Sequence, residues 1–259
     1  MRTPRFIRRL IDPIFTPIRV PIVSGVNRGM WWTIVSAGSG YASGSRARVE
    51  MNLLSMLIRP GDVVWDVGAH HGYVTLCASR RVGSSGRVHA FEPSGRNRDL
   101  LERHVRWNRC RNVSVHQFAL SNRDGEDFLG GEGTSKTLSL GKGTEVVAVR
   151  SARSIVKEGL SSPPTFIKID VEGAEADVLA GMMDVLPRNA RLFIEMHTID
   201  ADKKCDELMR DAGFQMYVSS GLQSMRAGER RMSDPDLYCV GPDCRTREQD
   251  FLLLQESGF

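Results

Sequence analysis

Two apolar runs of this sequence end in groups able to move a proton or hold an ion. Phe166-Ile167-Lys168-Ile169-Asp170 reads as a buried strand, so Lys168 and Asp170 share one face, and Glu172 and Glu175 follow at the turn. In Arg191-Leu192-Phe193-Ile194-Glu195-Met196-His197, Glu195 and His197 share a face at the end of the next such run. If the two strands are neighbours, Asp170, Glu172, Glu195 and His197 meet at one rim. A positioned base of this kind contributes about 10²- to 10⁴-fold to a proton transfer. His197 is the first candidate for that role, with Asp170 and Glu172 next. The same oxygen-rich set can hold Mg²⁺, although no ligand spacing demands a metal. Plainer readings stand beside these: acids complementing a helix dipole, a Lys168–Asp170 pair and an exposed imidazole at a strand end.

A second constellation lies upstream, in Val63-Val64-Trp65-Asp66-Val67-Gly68-Ala69-His70-His71-Gly72-Tyr73. A buried strand ends in an acid, then turns through Gly68 and Gly72 into a helix. Open α/β sheets bind ligands at such strand ends, where glycine lets backbone come close to them. The spacing is D-x-G-x-x-x-G, not G-x-G-x-x-G. An acid at the turn repels a pyrophosphate, which needs bare amides at a helix N-terminus, but suits the cationic amine and sulfonium of S-adenosylmethionine. Past Gly72, the strand Arg87-Val88-His89-Ala90-Phe91 ends in Glu92-Pro93. An acid there is placed to accept hydrogen bonds from both ribose hydroxyls.

The elements that must position these groups alternate along the chain. Strand patterns fall at Val63–Val67, Arg87–Phe91, Val113–Gln117, Phe166–Ile169, Arg191–Glu195, Phe214–Val218 and Leu237–Val240. Helical patterns fall at Tyr73–Arg81, Arg96–Trp107, Ala174–Leu186 and Asp202–Ala212, with another starting at Ser45 and ending at Pro60-Gly61. Strand–helix alternation predicts a doubly wound α/β sheet, seven-stranded and mostly parallel, with helices on both faces. The last two strands lack a clear helix between them, so one should run antiparallel. Residues 121–150, rich in glycine and short polar runs, read as a hairpin insertion, and 243–259 as a tail. Residues 1–45 read as a basic lid or cap on the acceptor side. Phe6 to Ile18 recur at helical spacing broken by Pro13 and Pro17, a pattern also suited to peripheral membrane contact, and Gly25–Gly44 reads as irregular.

Composition narrows the partners. The net charge of +4 is mild, and acids interrupt the densest arginine cluster, so no nucleic-acid face is expected. The five cysteines are scattered without a C-x-x-C spacing, which points to a reducing, cytoplasmic setting. No apolar run is long enough to span a bilayer, and the basic N-terminus lacks the features of a secretory signal.

Taken with Gly61-Asp62, Ala90-Phe91-Glu92-Pro93, Ala119-Leu120-Ser121 and Lys168-Ile169-Asp170-Val171-Glu172-Gly173-Ala174-Glu175, the Asp66 loop resembles the FkbM family of methyltransferases over about residues 25–200. The resemblance implies a Rossmann-like class I methyltransferase fold, S-adenosylmethionine as donor and O-methylation of a sugar, glycolipid or polyketide-type natural product. It further implies that Asp66, Gly68, Ala69 and Gly72 line the methionine part, Glu92 holds the ribose and Ala119 lies near the adenine. Absence of an Asn/Asp-Pro-Pro-Tyr motif argues against methylation of nucleobase nitrogens. A non-catalytic S-adenosylmethionine-binding protein and, less favoured because of Asp66, an NAD-dependent oxidoreductase are the rival readings.

Overall fold

The computed structural model describes residues 18–34, 39–45, 48–130, 139–141, 143–218, 223–224 and 236–241. Its main sheet is built on β3 (Val63–Val67), with β4 (Arg87–Phe91) and β5 (Val113–His116) on one side and β10 (Phe166–Ile169) and β11 (Arg191–Glu195) on the other, all parallel. Beyond β11 lies β14 (Asp236–Val240), antiparallel to both β11 and β12 (Gln215–Val218). An additional two-residue strand, β13 (Gln223–Ser224), pairs antiparallel with β12, so among the described residues the sheet has eight strands where the strand patterns predict seven. Too short to show any periodicity, β13 leaves no signal in the sequence.

Both faces of the central strands are covered, which is why they read as unbroken apolar runs. Val64, Phe166 and Phe193 face one core with α2 (Arg48–Leu57) and α3 (Tyr73–Val82). Trp65, Val67, Ile167, Ile169, Leu192 and Ile194 face the other, against α6 (Glu175–Met182) and α7 (Ile199–Asp211). The remaining α4 (Gly95–Trp107) packs beside β5. Lys168 and Asp66 are register partners on β10 and β3, so a buried cation and a buried acid lie side by side near the strand ends.

A second sheet joins β6 (Ala119–Ser121), parallel to β9 (Glu145–Ser151), with β7 (Gly125–Gly130) and β8 (Ser139–Leu140), and β7 pairs antiparallel with both β9 and β8. The short helix α5 (Ala152–Lys157) follows directly and has no counterpart among the expected helices. It is only six residues long, and its cap is the Ser151 hydroxyl.

The stretch read as irregular is ordered for tertiary reasons. β1 (Arg19–Pro21) and β2 (Trp31–Thr33) form an antiparallel hairpin, followed by α1 (Ser39–Ser43). Trp32 is fully buried, stacked on His104 at 3.8 Å between ring centroids and flanked by Tyr41 and Tyr73. Propensity in a glycine-rich stretch says nothing of such packing. The expected basic amphipathic patch falls chiefly on residues 1–17, and the tail on 243–259; both lie outside the described residues. Among the described residues no helix is long and apolar enough to cross a membrane.

Candidate active site

The carboxyl ends of β3, β4, β10 and β11 open into one cleft. Gly68, Ala69, His70, Glu92, Ala119, Asp170, Glu172 and Glu195 all line it. Two walls come from elements outside the alternation: Trp32, Tyr41, Glu50 and Met51 on one side, and Leu129 and Leu140 of the second sheet on the other. No motif marked these six residues: the five apolar or aromatic ones carry no signature beyond the hydrophobicity of any core residue, and Glu50 reads as one more acid in a helix's first turn.

The β3–α3 turn is a piece of close-packed backbone. Gly68 has φ 75°, and a Cβ there would come within 1.9 Å of the Asp170 carbonyl oxygen. Gly72, at φ 87°, would drive a Cβ to 2.3 Å from Leu101 Cδ1. Both glycines therefore answer to neighbouring protein rather than to room for a ligand. The turn's amides are also spoken for: Gly68 N and Ala69 N donate to the Phe91 carbonyl at 3.1 and 3.0 Å, Gly72 N to Ala69 O at 2.8 Å, and His70 N to Glu92 Oε2 at 2.8 Å. A pyrophosphate would find few free donors here.

Asp66 is fully buried and does not line the cleft. Its Oδ2 accepts a 2.5 Å hydrogen bond from Thr75 Oγ1, and Oδ1 lies 3.7 Å from Lys168 Nζ without a hydrogen-bond partner. Burial raises its pKa against the opposing pull of Lys168 and Thr75. Its reach toward a ligand is thus indirect, through Lys168. That lysine donates to Gly68 O at 3.2 Å and Asp170 Oδ2 at 3.1 Å, tying the cofactor turn to the rim. Burial works against its charge, but Asp170 and Asp66 outweigh it and keep the ammonium protonated above the ordinary lysine range.

Glu92, 5% exposed, accepts from His70 N, from Ser94 N at 2.9 Å and from Asn97 Nδ2 at 3.3 Å. Of about four lone-pair positions on a carboxylate, three are used, leaving capacity for one incoming hydroxyl without loss of a bond, not two. Burial pushes its pKa up to about 7, despite these donors.

At the rim the strand ends converge on His197. Its Nδ1–H donates to Glu175 Oε1 at 2.7 Å, while Nε2 faces Asp170 Oδ1 at 3.6 Å, Glu172 Oε2 at 3.6 Å and Glu195 Oε1 at 3.9 Å. Glu175 is fully buried and opens α6, whereas Glu172 lies ahead of that helix in a left-handed conformation, φ 55°. Glu172 is therefore a rim residue and not a helix-turn acid. The Glu175 hydrogen bond, with help from its charge and those of Asp170 and Glu172, raises the His197 pKa to about 9 despite partial burial. At neutral pH this imidazole holds its proton, which weighs against direct proton abstraction by His197 in this arrangement. Lys168 keeps Asp170 low against the effect of burial, and burial raises Glu172.

The sheet is mostly parallel, with β14 and β13 reversed toward one edge and a cleft over the carboxyl ends of its central strands, which is the class I methyltransferase arrangement. Residues 66–216 match the model of the methyltransferase FkbM domain, and the chain belongs to the FkbM family of S-adenosylmethionine-dependent methyltransferases. It is 27% identical over 184 residues to the hexuronic acid methyltransferase AglP of Haloferax volcanii, covering 66% of this chain and 72% of that protein. Among solved structures, a methyltransferase FkbM from Methylobacillus flagellatus is 19% identical with a TM-score of 0.49 over 70% of this chain; the chain spans 44% of that protein. An O-methyltransferase from Bacillus cereus in complex with SAH is 13% identical, with a TM-score of 0.49 over 75% of this chain and 81% of its own.

Proposed function

We propose that the protein transfers the methyl group of S-adenosylmethionine to a hydroxyl of a sugar. The observation that carries this reading is the cleft that joins the cofactor turn to the carboxylates of Asp170, Glu172 and Glu195, which His197 faces without itself lining the cleft. Gly68, Ala69 and His70 would border the methionine part, Glu92 would take a ribose hydroxyl, and Ala119 with Leu120 would lie against the base. The donor set suits this cofactor: acids surround the turn and its amides are already bonded, so a cation is favoured over a phosphate. Bound S-adenosylmethionine supplies an electrophilic methyl on a sulfonium.

The rim then has two tasks, to hold the acceptor oxygen in line and to take its proton. Orientation of this kind is worth about 7–11 kcal/mol in favourable systems. With His197 protonated and Asp170 held low by Lys168, the proton acceptor is a carboxylate, Glu172 or Glu195. His197, fixed by Glu175, orients these acids.

A hexuronic acid offers a carboxylate as well as hydroxyls, so esterification is the second reading. The cleft lining favours the hydroxyl. Glu50, Glu92, Asp170, Glu172 and Glu195 line it, against Lys168, which Asp66 and Asp170 already engage. A free carboxylate entering that field is repelled, and it would need no base. The test is transfer of labelled methyl to a panel of neutral and acidic sugars, followed by mild alkali. A methyl ether survives alkali, as proposed; an ester is hydrolysed, and its exclusive formation would overturn the hydroxyl assignment. Transfer to a polyketide or glycolipid alone would redirect the acceptor class.

A further inference from the structure

The rim has the construction of an ion site. Asp170, Glu172 and His197 each offer a ligand atom, and these atoms all lie within 4.8 Å of one another. A divalent ion sits about 2.0–2.2 Å from carboxylate oxygen or imidazole nitrogen, which places adjacent ligands roughly 3 Å apart. The 3.6 Å spacings from His197 Nε2 to Asp170 Oδ1 and Glu172 Oε2 need to contract by only a few tenths of an ångström. Two of the three ligands come from the Asp170–Glu172 loop and one from beyond β11, so neighbouring parallel strands hold the geometry.

Two further features point to a cation. His197 Nδ1 is committed to Glu175, which orients the ring with Nε2 toward the acids, the carboxylate–histidine pairing that metal-binding imidazoles use. Glu175 itself is fully buried at 0% exposure; Oε1 also accepts from Gly173 N at 2.9 Å, while Oε2 has no hydrogen-bond partner. A buried carboxylate with an unmet oxygen is costly unless positive charge is close by; the protonated His197 supplies it here, and an ion at Nε2 would supply it in the proton's place. The cleft as a whole is also short of cations, as its five lining carboxylates face one engaged lysine.

We propose that Asp170, Glu172 and His197 bind a divalent cation of the Mg²⁺ or Mn²⁺ class, the ion displacing the proton from His197 Nε2 to solvent while Nδ1–H stays on Glu175, and that the ion chelates two adjacent oxygens of the acceptor. This deepens the sugar-hydroxyl reading and rests on it for the identity of the acceptor, but not for the ion. Adjacent hydroxyls, or a hydroxyl beside a carboxylate, are the acceptor groups an ion in this position would take. Bound to the ion, the reacting hydroxyl becomes more acidic, and Glu195, outside the ligand set, is left to receive its proton. An ion would also offset the field that repels an acidic sugar.

The probe is Mn²⁺ added to the full chain after chelator treatment, followed by electron paramagnetic resonance. The expected result is one saturable site, weakened at least about tenfold in Asp170→Asn and in His197→Gln, with S-adenosylmethionine affinity unchanged in His197→Gln. Glu175→Gln should weaken it by roughly 10- to 100-fold, as for other partners of metal-binding imidazoles. The half-exposed Glu172→Gln guards against a variant that fails to fold, and it should lose Mn²⁺ with unchanged thermal stability. Absence of a saturable site, or a site unmoved by these substitutions, overturns the proposal. Methyl transfer to a sugar at full rate in chelator would also overturn it, while leaving the transferase reading intact. Saturable Mn²⁺ binding at these residues with no transfer to any sugar supports the ion site and counts against the acceptor.

Discussion

At the scale of single residues, buried polar groups in this protein have charge states set by their partners. His104 is fully buried, with Nδ1–H donating to His71 O at 2.8 Å and Nε2 accepting from Thr33 N at 3.1 Å. Those bonds leave no place for a second proton, and burial lowers its pKa to about 4. The sign follows directly. Between about 4 and the ordinary value of 6.5 the unfolded chain binds the proton and the folded one does not, so stability falls as pH drops through that window. By pH 5 the loss from His104 should be about 2 kcal/mol, and His71 and His89, also lowered by burial, add to it. Urea titrations at pH 7 and pH 5 check this: His104→Gln should show a shallower pH dependence than the parent, and an equal slope would contradict it. Glu92 makes the complementary case for binding. Glu92→Ala should weaken S-adenosylmethionine by about tenfold, the worth of one charge-assisted hydrogen bond, and calorimetry showing unchanged affinity would remove it from the cofactor site. Of these residues the place of Glu92 in the cleft was legible in sequence, because it follows a strand at the motif's spacing. The indirect role of Asp66 was not, since the motif says where the chain turns and not which side of the sheet the carboxylate takes.

At the scale of elements, the helices and strands that alternate were readable, and the pieces that complete the cleft were not. Each of β3, β4, β10 and β11 announces itself as a β-branched or aliphatic run buried on both faces. The β1–β2 hairpin does not, for its three-residue strands owe their order to Trp32 packing on His104, Tyr41 and Tyr73. Trp32→Ala should cost about 3–5 kcal/mol, as for emptying a large aromatic site in a core. Equilibrium denaturation measures it, and a change under 1 kcal/mol would show that the hairpin adds little to the stability of the domain. Gly68→Ala is a sharper probe of the strand-end junction: with a Cβ 1.9 Å from Asp170 O, the β3 turn and the rim cannot both keep their places. Loss of cofactor binding and of stability together is expected, and a neutral result would show that this approach is not needed.

At the scale of the whole molecule, one cleft brings together distant segments of the described chain: the hairpin wall from Trp32, the cofactor turn, the second sheet, the Asp170–Glu172 loop and Glu195 at the end of β11. Its division of labour follows from the proposed function: the β3–β4 side is expected to bind the cofactor, and the Asp170–His197 rim to carry the methyl-transfer step. Measuring kcat and the S-adenosylmethionine Kd side by side for His197→Ala tests that division most directly. A fall in kcat of about 10²-fold or more is expected, with Kd unchanged within about twofold, because loss of His197 releases the proton-accepting carboxylate from its catalytic position and touches nothing on the cofactor side. A variant that transfers methyl groups at the full rate, or one that loses cofactor affinity in step with kcat, would contradict it.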